Sequence, residues 1–220
     1  LSSYMVFKKY RKDFWKKYLT GFDQDSQHLT LKLSPQNKPE ASYLTEYFSI
    51  AEKDCSKLQE FAKHNRVTLS TLVQTAWAIL LNRYIDEDDF IFGVTVSGRS
   101  IELDGIEEMI GVFINTLPMR VSVNKSITIK DLVFQLQKNM LNITKHSSIP
   151  LQGINSLANK YIKRSLFNTI IVFENYPKKP DHDSSSNGFT IENITALEKV
   201  EYPLTSLVRS EEELSFSFNY

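Results

Sequence analysis

The chain is short of cysteine and glycine, has no charge excess and contains no long apolar run, and each shortage removes a class of function. Cys55 is the single cysteine, which excludes an internal disulfide and any multi-cysteine metal site. It stands in a helix-like run between charged residues and reads as a bystander thiol, since a reactive one needs an activating environment. The seven glycines are scattered, and neither G-x-x-x-x-G-K nor G-x-G-x-x-G occurs, so no phosphate-cradling loop is present. Basic and acidic residues balance at 26 each, which argues against a nucleic-acid groove or an anionic membrane surface as partner. No window approaches the roughly 20 apolar residues of a membrane span. The first residues are charged too early for a secretory signal. A soluble protein of a reducing compartment, the cytoplasm, is the resulting expectation, and the sequons at Asn142 and Asn193 read as chance matches. The chain opens on Leu1 rather than Met and is read as the interior of a longer protein.

What remains is the composition of a packed protein: 41% hydrophobic and 12% aromatic residues are enough for a real core. Phe7, Tyr10, Phe14 and Tyr18 recur near helical spacing and predict an amphipathic first helix, with lysines and arginines on its wet face. Leu29 to Leu33 and Tyr43 to Ile50 read as strands. Lys53 to His64 reads as a helix with Leu58, Phe61 and Ala62 inward. Thr68 is a plausible cap for a second helix whose apolar residues cover much of its circumference, which predicts deep burial. Phe90 to Val96 is an almost continuous apolar run, the pattern of an interior strand. Val112 to Val123 reads as another strand, and Pro118 confines it to an edge or a bulge. Thr128 to His146 predicts a helix with Ile129, Leu132, Val133, Leu136 and Met140 in one stripe, and a shorter helix follows Pro150 to about Lys160. Further strands are expected at Asn168–Glu174, Phe189–Leu197, Tyr202–Val208 and Leu214–Tyr220, and a surface loop at 177–188. Interleaved helices and strands, with strands predominating late, favour a mixed α/β layer.

Most candidate chemistry is better read as structure. Asp181, His182 and Asp183 fall in the low-complexity loop, whereas catalytic groups need a rigid supporting shell. Glu107–Glu108 and Asp86–Asp89 are paired only in sequence and fall in turns. Two places invite more. Ser97-Gly98-Arg99 ends a buried strand: the hydroxyl could face a cleft, the glycine permits close approach, and the arginine could clamp a carboxylate. The same three residues also suit a strand-end turn with a surface ion pair. Asn115, set among apolar residues, must satisfy its amide by bracing backbone or by touching substrate, and bracing is favoured.

Seven segments, in order, resemble the second half of a condensation domain of non-ribosomal peptide synthetases. Phe14 to Leu19 is similar to the family's Tyr/Phe-Trp-x-x-x-Leu helix, and Val67 to Tyr84 to its G-V-T-L … L-L-x-R-Y segment. Asp88 to Arg99 resembles D-D-I-V-x-G-x-x-x-x-G-R, and Ile110 to Arg120 resembles I-G-x-F-V-N-T-L-P-L-R. His146 to Leu151 is similar to a degenerate H-Q-x-x-P-F/L turn. Arg164 to Asn175 resembles R-S-P-L-F-x-T-M-F-V-F-E-N, and Tyr202 to Thr205 a late Y-P-L-T strand.

The resemblance implies a chloramphenicol-acetyltransferase-like α/β sandwich lobe of the CoA-dependent acyltransferase fold, a mixed sheet packed with helices, over 1–220. It implies peptide-bond formation, in which an acceptor amine attacks a donor thioester inside a tunnel between two lobes. By that analogy Ser97, Gly98, Arg99 and Asn115 line the tunnel and shape it rather than move protons. The family's adjacent histidine pair is missing, since none of His28, His64, His146 and His182 neighbours another. The general base is therefore expected on an absent N-terminal lobe, no residue here is assigned as catalytic, and the lobe alone is expected to be inactive. No cofactor or metal is expected on this lobe; phosphopantetheine arms arrive on carrier domains. The implied partners are the other lobe, carrier domains and an adjacent adenylation domain. An epimerisation domain of the same synthetases and a non-catalytic carrier-docking scaffold are the alternatives. The last strand ends earlier than the family pattern, which reads as a fragment of a larger synthetase.

Overall fold

The structure is a computed structural model, which describes residues 3–22, 44–99, 104–106, 108–124, 126–158, 165–174, 201–211 and 213–220. In chain order the elements are α1 (Ser3–Tyr18), β1 (Thr45–Ile50), α2 (Glu52–His64), α3 (Leu69–Ile85), β2 (Asp89–Val96), β3 (Asn115–Ser122), α4 (Ile129–Lys145), α5 (Leu151–Ala158), β4 (Thr169–Glu174), β5 (Leu204–Ser210) and β6 (Leu214–Asn219). The expected elements at 29–33, 177–188 and 189–197 lie outside the described residues.

The strands form one six-stranded sheet in the order β1-β6-β5-β4-β2-β3. β2 runs parallel to β4 and β4 to β5, while the other pairs are antiparallel. The apolar run of β2 thus lies between β3 and β4, and Phe90, Phe92 and Val94 are fully buried. Pro118 falls in β3 at the sheet edge, where its missing N–H breaks no outer ladder bond. Gly93 is required by packing: a β-carbon there would stand 2.4 Å from the Phe167 ring and 2.5 Å from Ile170.

Two helices begin as their caps dictate. The Thr68 hydroxyl accepts from the Thr71 N–H at 3.1 Å and the Thr128 hydroxyl from the Asp131 N–H at 3.1 Å. α3 stops where Asp86 adopts a left-handed conformation, φ 58°. Trp77 from this helix stacks on Phe218 of β6 and joins the core.

Several inward faces differ from those read in the sequence. Trp15 of α1 and Leu19 just past its end are core residues, with Phe14 and Tyr18 packed beside them, whereas Tyr10 is largely exposed. Phe14 and Tyr18 of the expected stripe thus flank the core, and Trp15 between them fills it. Phe61 of α2 is half exposed, and Cys55 takes the buried place with Ala62. Ile129 opens α4 and is exposed, so the buried stripe begins at Leu132. Val112, Phe113 and Ile114 are not strand: β3 starts only at Asn115.

A polar network fastens α1 to the β3 edge. Arg120 grips Asp89 with Nε at 2.9 Å and Nη2 at 2.6 Å, and its Nη1 donates to the Tyr18 and Thr20 carbonyls at 3.0 and 2.9 Å. The Arg120 N–H donates to the Tyr18 hydroxyl at 2.8 Å. Burial pushes the Tyr18 phenol well above the usual tyrosine range, so it stays neutral and available as acceptor.

Candidate functional site

β2, β4 and β5 run parallel, so their carboxyl ends, Val96, Glu174 and Ser210, share one end of the sheet. Ligands of open α/β sheets gather at such an end. A groove of about 660 Å³ opens there, with Leu69, Met140, Leu141 and Phe173 along it and Lys145 and Ser210 among its polar residues. The β2–β3 pairing brings the two sequence candidates together: Val96 faces Asn115 in the ladder, and Ser97-Gly98-Arg99 leaves from that rung.

Gly98 and Arg99 each have a definite job in this corner. Ser97 is exposed. Gly98 takes φ 68°, and a β-carbon on it would lie 1.8 Å from the Phe113 carbonyl oxygen, so only glycine allows the returning chain to cross here. Arg99 turns back onto its own loop: its guanidinium donates to the carbonyl of Ile106 and, at 3.0 Å, to that of Met109. It also lies over the Phe113 ring, 4.6 Å from the centroid. Through these contacts Arg99 braces the backbone of its loop.

Asn115 braces as well. Its amide donates to the Ser147 and Ile149 carbonyls at 2.7 and 3.0 Å, tying the start of β3 to the turn between α4 and α5. Removing both donors with Asn115→Ala leaves two partly buried carbonyls without these partners. It should lower stability by about 1–3 kcal/mol, measured as a fall in the urea midpoint with an unchanged slope.

The far side of that turn was not anticipated. His146 is buried, its Nδ1–H donates to the Asn142 carbonyl at 2.8 Å, and its ring stacks on Phe14 at 3.8 Å between centroids. The indole N–H of Trp15 donates to the His146 carbonyl at 3.1 Å. A chain of contacts thus runs from α1 through His146 and the 147–149 turn to Asn115 and the corner. The signal available in sequence was the presence of Trp15, His146 and Asn115 in separate motifs; their contacts join residues more than 30 positions apart.

The geometry is that of a braced corner at the carboxyl end of a mixed sheet. A model of the condensation domain family matches residues 7–220. The chain belongs to the condensation domain family. Surfactin synthase subunit 3 of Bacillus subtilis (strain 168) is 34% identical over 209 residues, covering 94% of this chain and 16% of that protein. Tyrocidine synthase 2 of Brevibacillus parabrevis is 34% identical over 215 residues, covering 94% of this chain and 6% of that protein. The chain therefore spans only a small part of the relatives it matches.

Among solved structures, the X-domain from teicoplanin biosynthesis superposes with a TM-score of 0.71 at 21% identity, over 96% of this chain and 49% of that one. The first condensation domain of the CDA synthetase gives 0.69 at 16% identity, over 98% of this chain and 48% of that one. These likenesses establish the fold, and the expected α/β lobe with a mixed sheet is what the condensation domain chain forms.

Proposed function

We propose that this chain is the C-terminal half of a peptide-bond-forming condensation domain and supplies one wall of the tunnel in which two carrier-bound thioesters meet. The observation that carries the reading is the family match over residues 7–220, joined to a site whose polar side chains, Arg99 and Asn115, hold backbone carbonyls. Such groups position; they do not exchange protons at neutral pH, because a guanidinium keeps its proton and an amide has none to give. In this reading Ser97, Gly98, Arg99 and Asn115 shape the tunnel, and the acceptor amine attacks the donor thioester while a base on the other lobe takes the proton. That placement is what proximity catalysis asks of a wall. Phosphopantetheine arrives on carrier domains, an adenylation domain loads the acceptor, and the synthetase works in the cytoplasm.

The test uses the intact polypeptide that carries this chain, supplied with a donor-loaded and an acceptor-loaded carrier. A product joined by a new amide bond, seen by mass spectrometry and missing when the 220-residue chain is used alone, is expected. Inversion of the donor α-carbon without bond formation would assign the epimerisation reaction instead. Carrier binding with neither reaction would make the chain a docking scaffold.

A further inference from the structure

The groove at the carboxyl end of the sheet carries chemistry that the corner does not use. Leu69, Met140, Leu141 and Phe173 form its apolar side, and its volume, about 660 Å³, is that of a small-ligand pocket. Its polar side offers donors. Gln137 Oε1 accepts from the Thr68 N–H at 3.0 Å and from the Thr71 hydroxyl at 2.7 Å. A backbone N–H can only donate, so the amide oxygen is fixed there and the Gln137 Nε2 hydrogens are left for an occupant. Ser70 Oγ accepts from Gln74 Nε2 at 3.1 Å, which leaves its own proton free to be donated. Gln74 is 3% exposed, so Ser70 is held from within the core.

Lys145 completes the set. It stands exposed on the groove at the last turn of α4, and among the described residues no carboxylate pairs with it. None of the residues that line the groove is acidic. A carboxylate tip would therefore meet three donors and no like charge, whereas an ammonium tip would meet the lysine. The groove is also within reach of the corner. β2 and β4 pair Gly93 with Ile170 and Val94 with Ile171, and two residues further on the same register sets Val96 beside Phe173. One strand spacing, about 5 Å, thus separates the groove wall from the rung where Val96 faces Asn115.

We propose that this groove is a specificity pocket for a carboxylate-tipped side chain on one of the two carrier-bound aminoacyl substrates. Lys145, Gln137 and Ser70 are its specificity-determining residues, and the apolar side takes the methylene stem. The inference rests on the condensation reading above and names a substrate class for it.

Peptide formation by the intact polypeptide tests it, with glutamyl, glutaminyl and lysyl substrates placed first on the acceptor carrier and then on the donor. In one of the two arms kcat/KM should be at least tenfold higher for glutamyl than for glutaminyl, which has nearly the same shape and no charge. Lys145→Met keeps the stem and loses the charge. It should bring that ratio to about one through KM, with kcat held, as the loss of uniform binding does. Lys145→Glu should invert the order, with lysyl above glutamyl. A second readout needs no turnover. In the Leu141→Cys form, the glutamyl thioester of N-acetylcysteamine should slow alkylation at position 141 by iodoacetamide at least threefold, read by mass spectrometry, and the lysyl thioester should not. Equal kcat/KM for the three side chains in both arms, or alkylation that ignores both thioesters, would overturn the proposal. Slowed alkylation without any peptide product upholds the pocket and overturns only the functional reading.

Discussion

Trp15→Ala should lower the stability of the fold by about 3–5 kcal/mol, the usual loss when a large buried aromatic becomes a methyl. For a protein of this size that corresponds to a fall in melting temperature of roughly 6–20 °C. The indole is fully buried, meets Phe14 and Tyr18 edge-on, and donates to the His146 carbonyl. Its removal therefore empties core volume and frees the turn that receives Asn115. Trp15→Phe keeps most of the apolar area and drops only the N–H bond, so it should cost about 1–2 kcal/mol. Differential scanning calorimetry on the two variants separates volume from hydrogen bond. Equal losses in both would mean that the bond to His146, and not packing, anchors α1.

Gly98→Ala should reduce peptide formation by the intact polypeptide about 100-fold. The left-handed conformation alone costs a non-glycine residue about 1–2 kcal/mol. The larger effect is steric, because a methyl 1.8 Å from the Phe113 oxygen cannot be accommodated without moving that backbone. With the corner lining the proposed tunnel, displacement by an ångström is enough for losses of that order. Gly105→Ala is the control: its φ is also positive, at 75°, but nothing lies within 4 Å of the added carbon. It should cost about 1–2 kcal/mol of stability and leave turnover close to wild type. A Gly98→Ala enzyme with normal turnover would show that the corner plays no part in the reaction.

Much of the fold was legible because local rules and tertiary context agree. Thr68 and Thr128 start helices where a hydroxyl, three residues ahead of a free N–H, should. The Phe90–Val96 run is interior, and Pro118 lies on an edge strand. Errors arose where an apolar residue has no surface behind it. Phe61 and Ile129 obey the helical period but project past their neighbours. Val112 and Ile114 alternate like a strand, yet the carbonyls of Ile106 and Met109 are claimed by a side chain, and among the described residues no second strand pairs there.

The nearness of the corner residues was legible in the sequence, and their bonds were not. Ser97, Gly98, Arg99 and Asn115 do come together, because one antiparallel pairing places Val96 opposite Asn115. That Arg99 turns inward and that Asn115 reaches Ser147 and Ile149 depends on how loops pack. No period or motif encodes such contacts. His146 is the same case, since its partner Phe14 lies on a helix at the other end of the chain.

A pH–rate profile of peptide formation, recorded on the intact polypeptide with wild-type and His146→Asn forms, tests whether this half positions without transferring protons. His146 is the residue to replace because its imidazole and carbonyl sit beside the turn that Asn115 holds. Asparagine can still donate toward the Asn142 carbonyl but carries no imidazole. Both limbs of the profile should stay where they are, with the whole curve lowered uniformly if the turn loosens. Loss or displacement of a limb would place the proton-handling group on this chain and contradict the account.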